Sequence, residues 1–281
     1  MKRIFDKIIA KQSVPLELLY EVPDINLKKQ DDPEKGCTAL VLACGRYANV
    51  ETVDRLLLLP SIDVNMQAGK FLDQTALIDA CRYKNTQIVK KLLSRNDIDV
   101  NKQAHNGETA LNTAIVYKND MLYRDNDDII DMLLARDDIN VNIQGIFDGT
   151  PLMSAISKYN TRVAKMLLKK GAYPNLRKKN NDTALIMASR NGLEDIVLDL
   201  LYLGADENAV NKDGESMDTY LDNLPRIKYI KEIKSIIDES ERVPKDITSL
   251  ITSFLFKATK SKKKSKKKLK KSSRKRKSIR K

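Results

Sequence analysis

Imidazole and indole groups are nearly absent from this chain of 281 residues, which has one histidine, His105, and no tryptophan. So little imidazole argues against Ser/His/Asp or Cys/His catalysis and against a multi-histidine metal site. Aromatic residues make up only 5% of the chain, which argues against a large aromatic-lined ligand pocket. Carboxylates are plentiful, but they recur at regular positions in turns and on helix surfaces, as structural residues do. We therefore expect no enzyme activity, no cofactor and no metal site.

Cysteine and long apolar runs are also scarce. Cys37, Cys44 and Cys81 include no Cys-x-x-Cys pair, which fits neither a disulfide framework nor a zinc site and indicates a reducing compartment. No segment has about eighteen uninterrupted apolar residues, and Asp6 and Lys7 interrupt the stretch that a signal peptide would need. The sequence therefore predicts an intracellular protein that is not an integral membrane protein.

Acidic residues are missing from the last part of the chain. Residues 257–281 hold 16 Lys or Arg and no acid, whereas residues 1–256 hold 35 basic and 38 acidic residues. Without apolar periodicity, this tail is expected to be disordered. Its basic clusters consist of Lys262, Lys263, Lys264, Lys266, Lys267 and Lys268, then Arg274, Lys275, Arg276 and Lys277.

Several roles for the basic tail stay open. Two basic clusters separated by serines resemble an import signal, which favours recognition by an import receptor and a nuclear or nucleolar location over the cytoplasm. The same charge suits a phosphate-binding arm for nucleic acid or a contact with an anionic membrane surface. A tail that only solvates the protein is a further alternative.

The chain has repetition in abundance. Five similar segments read CTALVLACGRY, QTALIDACRYKN, ETALNTAIVYKN, GTPLMSAISKYN and DTALIMASRNG. Their threonines are Thr38, Thr75, Thr109, Thr150 and Thr183, with gaps of 37, 34, 41 and 33 residues. Each threonine is followed by a second apolar segment ending in a leucine pair, and then by a polar turn such as NDIDVNKQ or GADENAV. A period near 33 residues indicates a stack of helical units.

Each part of the repeat has a physical role. Threonine can cap a helix by accepting a hydrogen bond from a free backbone N–H, and Pro151 suits a first helical turn. The apolar residues that follow lie on one helical face, and TQIVKKLL predicts a second helix with its own apolar stripe. Gly171 and Gly204 stand where a helix ends in a left-handed turn. Because neither stripe can be buried alone, the units are expected to pack against each other.

Two helices and a turn, repeated with T-A/P-L-x-x-A and G-A-D-x-N, resemble the ankyrin repeat family over about residues 24–210. The DINVNIQ style of turn is similar to ankyrin repeats of giant amoebal DNA viruses. The family's histidine after T-P-L is absent from every unit. The resemblance implies an all-α ankyrin-repeat solenoid, expected to be a monomer. Its parts are an N-terminal half-repeat (1–36), five repeats within 37–213 (about 37–67, 73–103, 107–144, 149–177 and 182–210) and a degenerate capping repeat (214–242).

In ankyrin proteins the concave face, formed by turn tips and inner helices, usually holds the protein partner. The resemblance therefore implies a binding surface for another protein, of unknown identity. Its residues are Phe71, Leu72, His105, Asn106, Ile146, Phe147 and Lys179 at the tips, and Arg82, Tyr83, Tyr117, Lys158 and Arg190 on the inner helices. Apolar residues at the tips suggest an anchor for a partner. Alternatively, they fold back onto neighbouring turns.

A last amphipathic segment lies between the repeats and the tail. Residues 243–256 predict a helix whose marker residues are Pro244, Ile247, Leu250, Ile251, Phe254 and Leu255. This pattern is similar to the opening helix of an F-box, the element that binds the Skp adaptor of cullin ubiquitin ligases. A helix that seals the C-terminal end of the stack is favoured over this interpretation.

Overall fold

The computed structural model describes residues 1–22, 24–26, 36–69, 73–117 and 127–239, with only the backbone of residues 233, 234 and 236–239. Phe71, Leu72, the segment 243–256 and the basic tail 257–281 lie outside this part of the chain. Regular structure in the described part is helical, with two isolated antiparallel bridges, Ala68 with Gln74 and Arg177 with Thr183. The chain divides into two compact units, Met1–Thr183 and Ala184–Lys281.

The first unit consists of helix pairs joined by turns. Its helices are α1 (Lys2–Ile9), α2 (Leu16–Tyr20), α3 (Ala39–Cys44), α4 (Val50–Leu57), α5 (Ala76–Arg82), α6 (Thr86–Leu93), α7 (Ala110–Val116), α8 (Asp127–Leu134), α9 (Pro151–Ser157) and α10 (Thr161–Lys169), with a 3-10 turn at Ile146–Asp148. The second unit contains α11 (Ala184–Arg190), α12 (Glu194–Tyr202), a 3-10 segment (Asp218–Asn223) and α13 (Pro225–Glu239).

Threonine begins the first helix of each repeat in the first unit, as the sequence predicts. The Thr75 hydroxyl accepts a hydrogen bond from the backbone N–H of Ile78 at 3.3 Å. The corresponding caps are made at 3.2 Å by Thr38, Thr109 and Thr150. Pro151 occupies the first turn of α9, where its missing N–H has no helical partner to lose. A cap of this kind contributes about 1 kcal/mol to stability.

The core of the first unit runs along the stack. The inner helices α3, α5, α7 and α9 pack on one another in series, and each also packs on the outer helix of its own pair. Leu92 and Leu167, from the predicted second apolar stripes, are fully buried. Burying a leucine contributes about 1.5–3 kcal/mol, and the neighbouring pair supplies part of the covering surface. Each helix pair therefore buries its apolar stripe partly against its neighbours, as the repeated apolar stripes predict.

Side-chain amides join consecutive turns of the first unit. The Asn65 Nδ2 donates to the Asp97 carbonyl at 2.6 Å, and its Oδ1 accepts from the Asp99 N–H at 2.7 Å. Equivalent pairs of bonds are made by Asn26, Asn101 and Asn142. We refer to these four residues as the asparagine ladder. It fixes the register between neighbouring turns through backbone groups that the helices leave unpaired.

A second row of amides lies two residues further along each turn. The Gln103 Nε2 donates to the Gly107 carbonyl at 2.8 Å and to the Gln144 carbonyl at 3.0 Å. Gln67 and Gln144 bond in the same way to their own turn and to the next one. The recurrent asparagine and glutamine of the DIDVNKQ turn are thus structural residues.

The N-terminal helices α1 and α2 cover the first repeat. Ile4, Phe5 and Ile8 of α1 are buried, and α1 packs on α3. The Val14 N–H donates to the Thr52 hydroxyl at 3.2 Å, and the Arg55 Nη1 donates to the Val14 carbonyl at 2.6 Å. These contacts place a helix pair at the end of the stack, where the sequence predicts a half-repeat.

The last helix pair differs from its prediction. The sequence suggests two helices in residues 216–240, but the first is a short 3-10 segment, Asp218–Asn223, and only α13 is an α-helix. Pro225 begins α13, and a proline restricts the residue before it to extended backbone. Asp, Thr and Asn in the preceding segment are poor helix formers. The residues between Ser216 and Pro225 therefore form a short 3-10 segment and no α-helix.

Candidate functional site

We number the hairpin tips of the first unit in chain order: the first is closed by the Ala68–Gln74 bridge, and the second, third and fourth are residues 104–108, 145–149 and 178–182. The second, third and fourth tips have a common closure. In each, a backbone N–H donates to a carbonyl four residues later at 2.9 Å: Ala104 to Glu108, Gly145 to Gly149 and Lys178 to Asp182. The connection between helix pairs therefore has a defined shape, and the residues at its apex are held in fixed positions. These apices carry the tip residues predicted from the sequence, other than Phe71 and Leu72.

The third tip presents two apolar side chains to solvent. Ile146 is 41% exposed and Phe147 is 71% exposed, so the Phe147 ring does not fold back onto the neighbouring turns. Phe147 and Asp148 both have left-handed backbone, with φ of 55° and 59°. A non-glycine residue in this conformation costs roughly 1–2 kcal/mol. The Lys179 N–H donates to the Phe147 carbonyl at 3.1 Å, which holds this turn against the fourth tip.

Polar residues at the tips divide into structural and exposed ones. Asn106 accepts from the Glu108 N–H at 3.1 Å and donates to the buried Glu108 carboxylate at 3.3 Å. Asn180 and Asp182 repeat this arrangement in the fourth tip. Asn106 therefore shapes its turn. His105 and Lys179, by contrast, are exposed at the apices of their tips.

Arg82, which the sequence places on the binding surface, is held between two repeats. Its guanidinium lies 3.6 Å from the Glu108 carboxylate and 3.8 Å from that of Asp79. It also lies 4.4 Å from the centre of the Tyr117 ring, at cation–π distance. These contacts join α5 to the next helix pair, so Arg82 serves the packing between repeats.

Arg190 makes a similar set of contacts in the second unit. Its Nη2 lies 2.6 Å from the Glu215 carboxylate, and its Nε donates to the Tyr220 hydroxyl at 2.9 Å. Hydrogen bonds from Tyr220, Asn211 and Arg190 hold the pKa of Glu215 below its usual value. Arg190 is thus tied to the residues that follow α12.

The two arginines share a sequence signal that local patterns do not reveal. Arg82 and Arg190 each stand seven residues after the repeat threonine, and Glu108 and Glu215 each stand just before the next repeat begins. In the other repeats this position pair is Gly45 with Gln74, Val116 with Gly149 and Ser157 with Asp182. Comparing the two positions across all repeats would have predicted the ion pairs.

The ends of the inner helices carry a row of tyrosines, which we call the tyrosine row: Tyr47, Tyr83, Tyr117 and Tyr159. Tyr83 is 46% exposed and Tyr117 is 36% exposed. The predicted residue Lys158 is exposed beside Tyr159, which is not among the residues predicted from the sequence. A tyrosine stands eight or nine residues after the threonine in each of the first four repeats, a signal that comparing these segments would have revealed.

Reactive chemistry is not evident in the part of the chain that the structure describes. No three His, Cys, Asp or Glu side chains there could hold a metal ion, and no helix there is long and apolar enough to cross a membrane. Cys44 and Cys81 are fully buried. Burial raises the pKa of both thiols, and the Asp79 carboxylate adds to the effect at Cys44. Both cysteines therefore stay protonated, as expected of core residues.

Comparison with known proteins agrees with this architecture. The family model described as "Ankyrin repeats (3 copies)" matches residues 9–104, 46–144 and 119–211. The crystal structure of the ankyrin repeat domain of Bcl-3, described as a unique member of the IkappaB protein family, is similar in fold, with a TM-score of 0.56 and 22% sequence identity. The likeness covers 72% of this chain and 84% of that chain. No curated protein matches. The all-α fold class predicted from the sequence is confirmed.

Proposed function

Because this chain belongs to the ankyrin repeat family, we propose that it is a non-catalytic scaffold that binds another protein across its hairpin tips and inner helix ends. Solenoids of this kind bind partners along their extended surfaces. The observation that carries the proposal is the third tip, where Ile146 and Phe147 are exposed although the packing of the repeats does not require them.

The third tip has the properties of a binding anchor. Burying an exposed phenylalanine in a partner contributes about 1.5–3 kcal/mol, enough to dominate a small interface. The turn is already fixed by its bonds to Gly145, Gly149 and Lys179, so little conformational entropy is lost on binding. The left-handed backbone of Phe147 lowers the stability of the fold locally, and the fold tolerates this strain at an exposed position.

The experiment is affinity capture from cells with the full chain, the Phe147→Asn variant and the Tyr173→Asn variant, with captured proteins identified by mass spectrometry. Asparagine tolerates left-handed backbone, so Phe147→Asn removes the ring and preserves the turn. Tyr173 is 65% exposed in the same unit and serves as the matched control. We expect the same partner with wild type and control, and at least a tenfold loss with Phe147→Asn. Equal capture by all three proteins would refute the proposal.

A separate role is proposed for the basic tail, residues 257–281: nuclear targeting or contact with anionic molecules. It is supported by the 16 cationic side chains and the absence of acids. A fluorescent fusion of the full chain is expected in the nucleus or nucleolus, and a fusion of residues 1–256 in the cytoplasm. Salt-sensitive binding to nucleic acid by the full chain alone would favour the anionic contact. The proposal for the tail is refuted if the full chain and residues 1–256 have the same cellular location and the same binding to nucleic acid.

The alternative function is an F-box-like adaptor for a cullin ubiquitin ligase, which the spacing of Pro244, Ile247, Leu250 and Phe254 supports. It predicts that wild-type protein captures a Skp-type adaptor, and that Leu250→Asp or Phe254→Ala abolishes this capture without unfolding the repeats. Wild-type protein that folds but captures no such adaptor rules out the alternative.

A further inference from the structure

Exposed charge is unevenly distributed over the turns of the first unit. The edge that carries the asparagine ladder is rich in acid, with Asp63, Asp97, Asp99, Asp137 and Asp138 all exposed. Arg95 and Arg136 pair with two of these acids, at 2.6 and 2.7 Å. Among the hairpin tips, which follow a few residues later in each turn, the fourth has the opposite charge.

The fourth tip concentrates positive charge. Arg177 and Lys179 are exposed and Lys178 is half-buried, which places three consecutive cations at this tip. The acid of the same tip, Asp182, is buried and accepts from the Asn180 side chain at 3.0 Å. Lys102, two residues before the second tip, is half-buried, and the acid of that tip, Glu108, is buried beside Arg82. The acids there are used inside the fold, and the cations remain at the surface.

The described tips carry fewer exposed acids than the edge with the asparagine ladder. Asp73 lies in the first tip and Asp148 in the third, and both are exposed. Asp148 directly follows Phe147, so one exposed acid stands in the third tip beside the three cations of the fourth. Below the tips, Arg46 and Lys158 are exposed beside the tyrosine row, while Lys84 is half-buried there. The surface that carries the apolar anchor is therefore positively charged at the end nearer the fourth tip.

The apolar anchor and these cations are neighbours in space. The Lys179 N–H donates to the Phe147 carbonyl at 3.1 Å, and the Gln144 Nε2 donates to the Arg177 carbonyl at 2.9 Å. These two bonds hold the third and fourth tips side by side. A bound segment a few residues long can therefore contact Phe147 and the cations together, since an extended chain spans about 3.3 Å per residue.

We propose that this surface takes an acidic segment of a partner protein that carries an apolar anchor residue, with the anchor on Ile146 and Phe147 and the carboxylates toward Arg177, Lys178 and Lys179. The inference rests on the proposed function and specifies the chemistry of the partner. One exposed ring beside an aliphatic side chain suits an apolar amino acid better than a single-stranded nucleic acid, whose successive bases stack on a series of aromatic side chains. Complementary charge also speeds association and selects against basic partners.

The test begins with a displayed library of random 12-residue peptides selected on the full wild-type chain. Excess synthetic peptide of residues 257–281 is added, because the basic tail would otherwise select acidic peptides by itself. We expect enriched sequences to combine Leu, Phe or Trp with neighbouring Asp or Glu. Absence of any enrichment, or enrichment without acidic residues, overturns the inference.

The best peptide is then synthesised and its Kd measured by fluorescence anisotropy with matched variants. The Lys178→Glu/Lys179→Glu variant reverses one half-buried and one exposed charge, and it is expected to bind the peptide about tenfold or more weakly. The control, Lys2→Glu/Arg3→Glu, makes the same change of charge at two exposed residues at the start of α1, where acids favour the helix. It is expected to bind as wild type does. Circular dichroism checks that each variant is folded.

A peptide with Lys in place of its acids provides the charge-swap test. It is expected to bind the Lys178→Glu/Lys179→Glu variant better than wild type. Equal loss of the acidic peptide in test and control variants overturns the inference, as does a single-stranded oligonucleotide that binds the same residues more tightly than the peptide. Enriched peptides of other chemistry that still require Phe147 would leave the proposed function intact and remove only this inference.

Discussion

Replacing Asn101 by alanine tests the asparagine ladder. In the wild type, the Asn101 Nδ2 donates to the Asp138 carbonyl at 2.7 Å, and its Oδ1 accepts from the Asn140 N–H at 2.8 Å. Both bonds cross from one turn to the next. Alanine removes them, while the bond from the Asn101 N–H to the Asp99 carboxylate at 2.9 Å can remain. The change therefore acts on the joint between two repeats and spares the turn itself.

The magnitude follows from the two lost bonds. Each contributes about 0.5–1.5 kcal/mol, so the sum lies near 1–3 kcal/mol. Asn101 is half-buried, and water can replace part of the lost bonding, which favours about 1–2 kcal/mol. For a protein of this size, that free energy corresponds to a fall in Tm of about 2–8 °C. Since repeats couple only to their neighbours, the unfolding transition should also broaden.

Two measurements check the reasoning. Urea unfolding followed by circular dichroism gives the stability, and amide hydrogen exchange reports the Asn140 N–H directly. We expect faster exchange at Asn140 and unchanged exchange at Tyr173, whose N–H is bonded to Asn142 at 2.7 Å. The control is Asn208→Ala, at the corresponding turn position of the second unit, where the side chain is exposed. Equal destabilisation by both substitutions, or unchanged exchange at Asn140, would refute the reasoning.

Three further predictions concern individual contacts. Thr75→Ala should lower the free energy of unfolding by about 1 kcal/mol and Thr75→Ser by less, measured in urea, because serine retains the capping hydroxyl. Arg82→Met should cost about 1–3 kcal/mol by removing the ion-pair partner of the buried Glu108. In a double-mutant cycle, Arg82→Met/Glu108→Gln should cost less than the sum of the single changes. A hydrogen bond from Arg95 holds the pKa of Asp97 below its usual value. The pair therefore stabilises the fold at pH values above the unfolded pKa of Asp97, and this effect is lost as the pH falls through the lower folded pKa. In Arg95→Met, the urea midpoint should depend less on pH in this acidic range.

Local features of the repeat could be predicted from the sequence because they depend on residues close together in the chain. A capping threonine such as Thr75 and the residue it bonds are three positions apart. Apolar stripes also recur within one helix, so Leu92 and Leu167 could be assigned to the core. The same reasoning could not predict the pairing of Arg82 with Glu108, because the two residues belong to different repeats and meet only after the units pack.

Candidate binding residues were harder to predict for the same reason. The sequence marks Ile146 and Phe147 as unusual, but their exposure depends on a turn in which Phe147 and Asp148 are left-handed, a conformation that phenylalanine does not favour by itself. Arg82 and Arg190 look like free surface cations until the stacking of the next repeat supplies their acids. The segment before Pro225 lacks a full helix because proline acts on the conformation of the residue preceding it.

The asparagine ladder makes the joints between units chemically interchangeable. Asn65 and Asn101 each bond to a backbone carbonyl and a backbone N–H, groups that every residue of the following turn can offer. Loss of one whole unit by recombination would bring the Asn65 amide to the partners that Asn101 now holds. In such a shortened protein the turns would stay joined by the same amide bonds, whereas the loss of Arg82 would leave the buried Glu108 without its ion-pair partner.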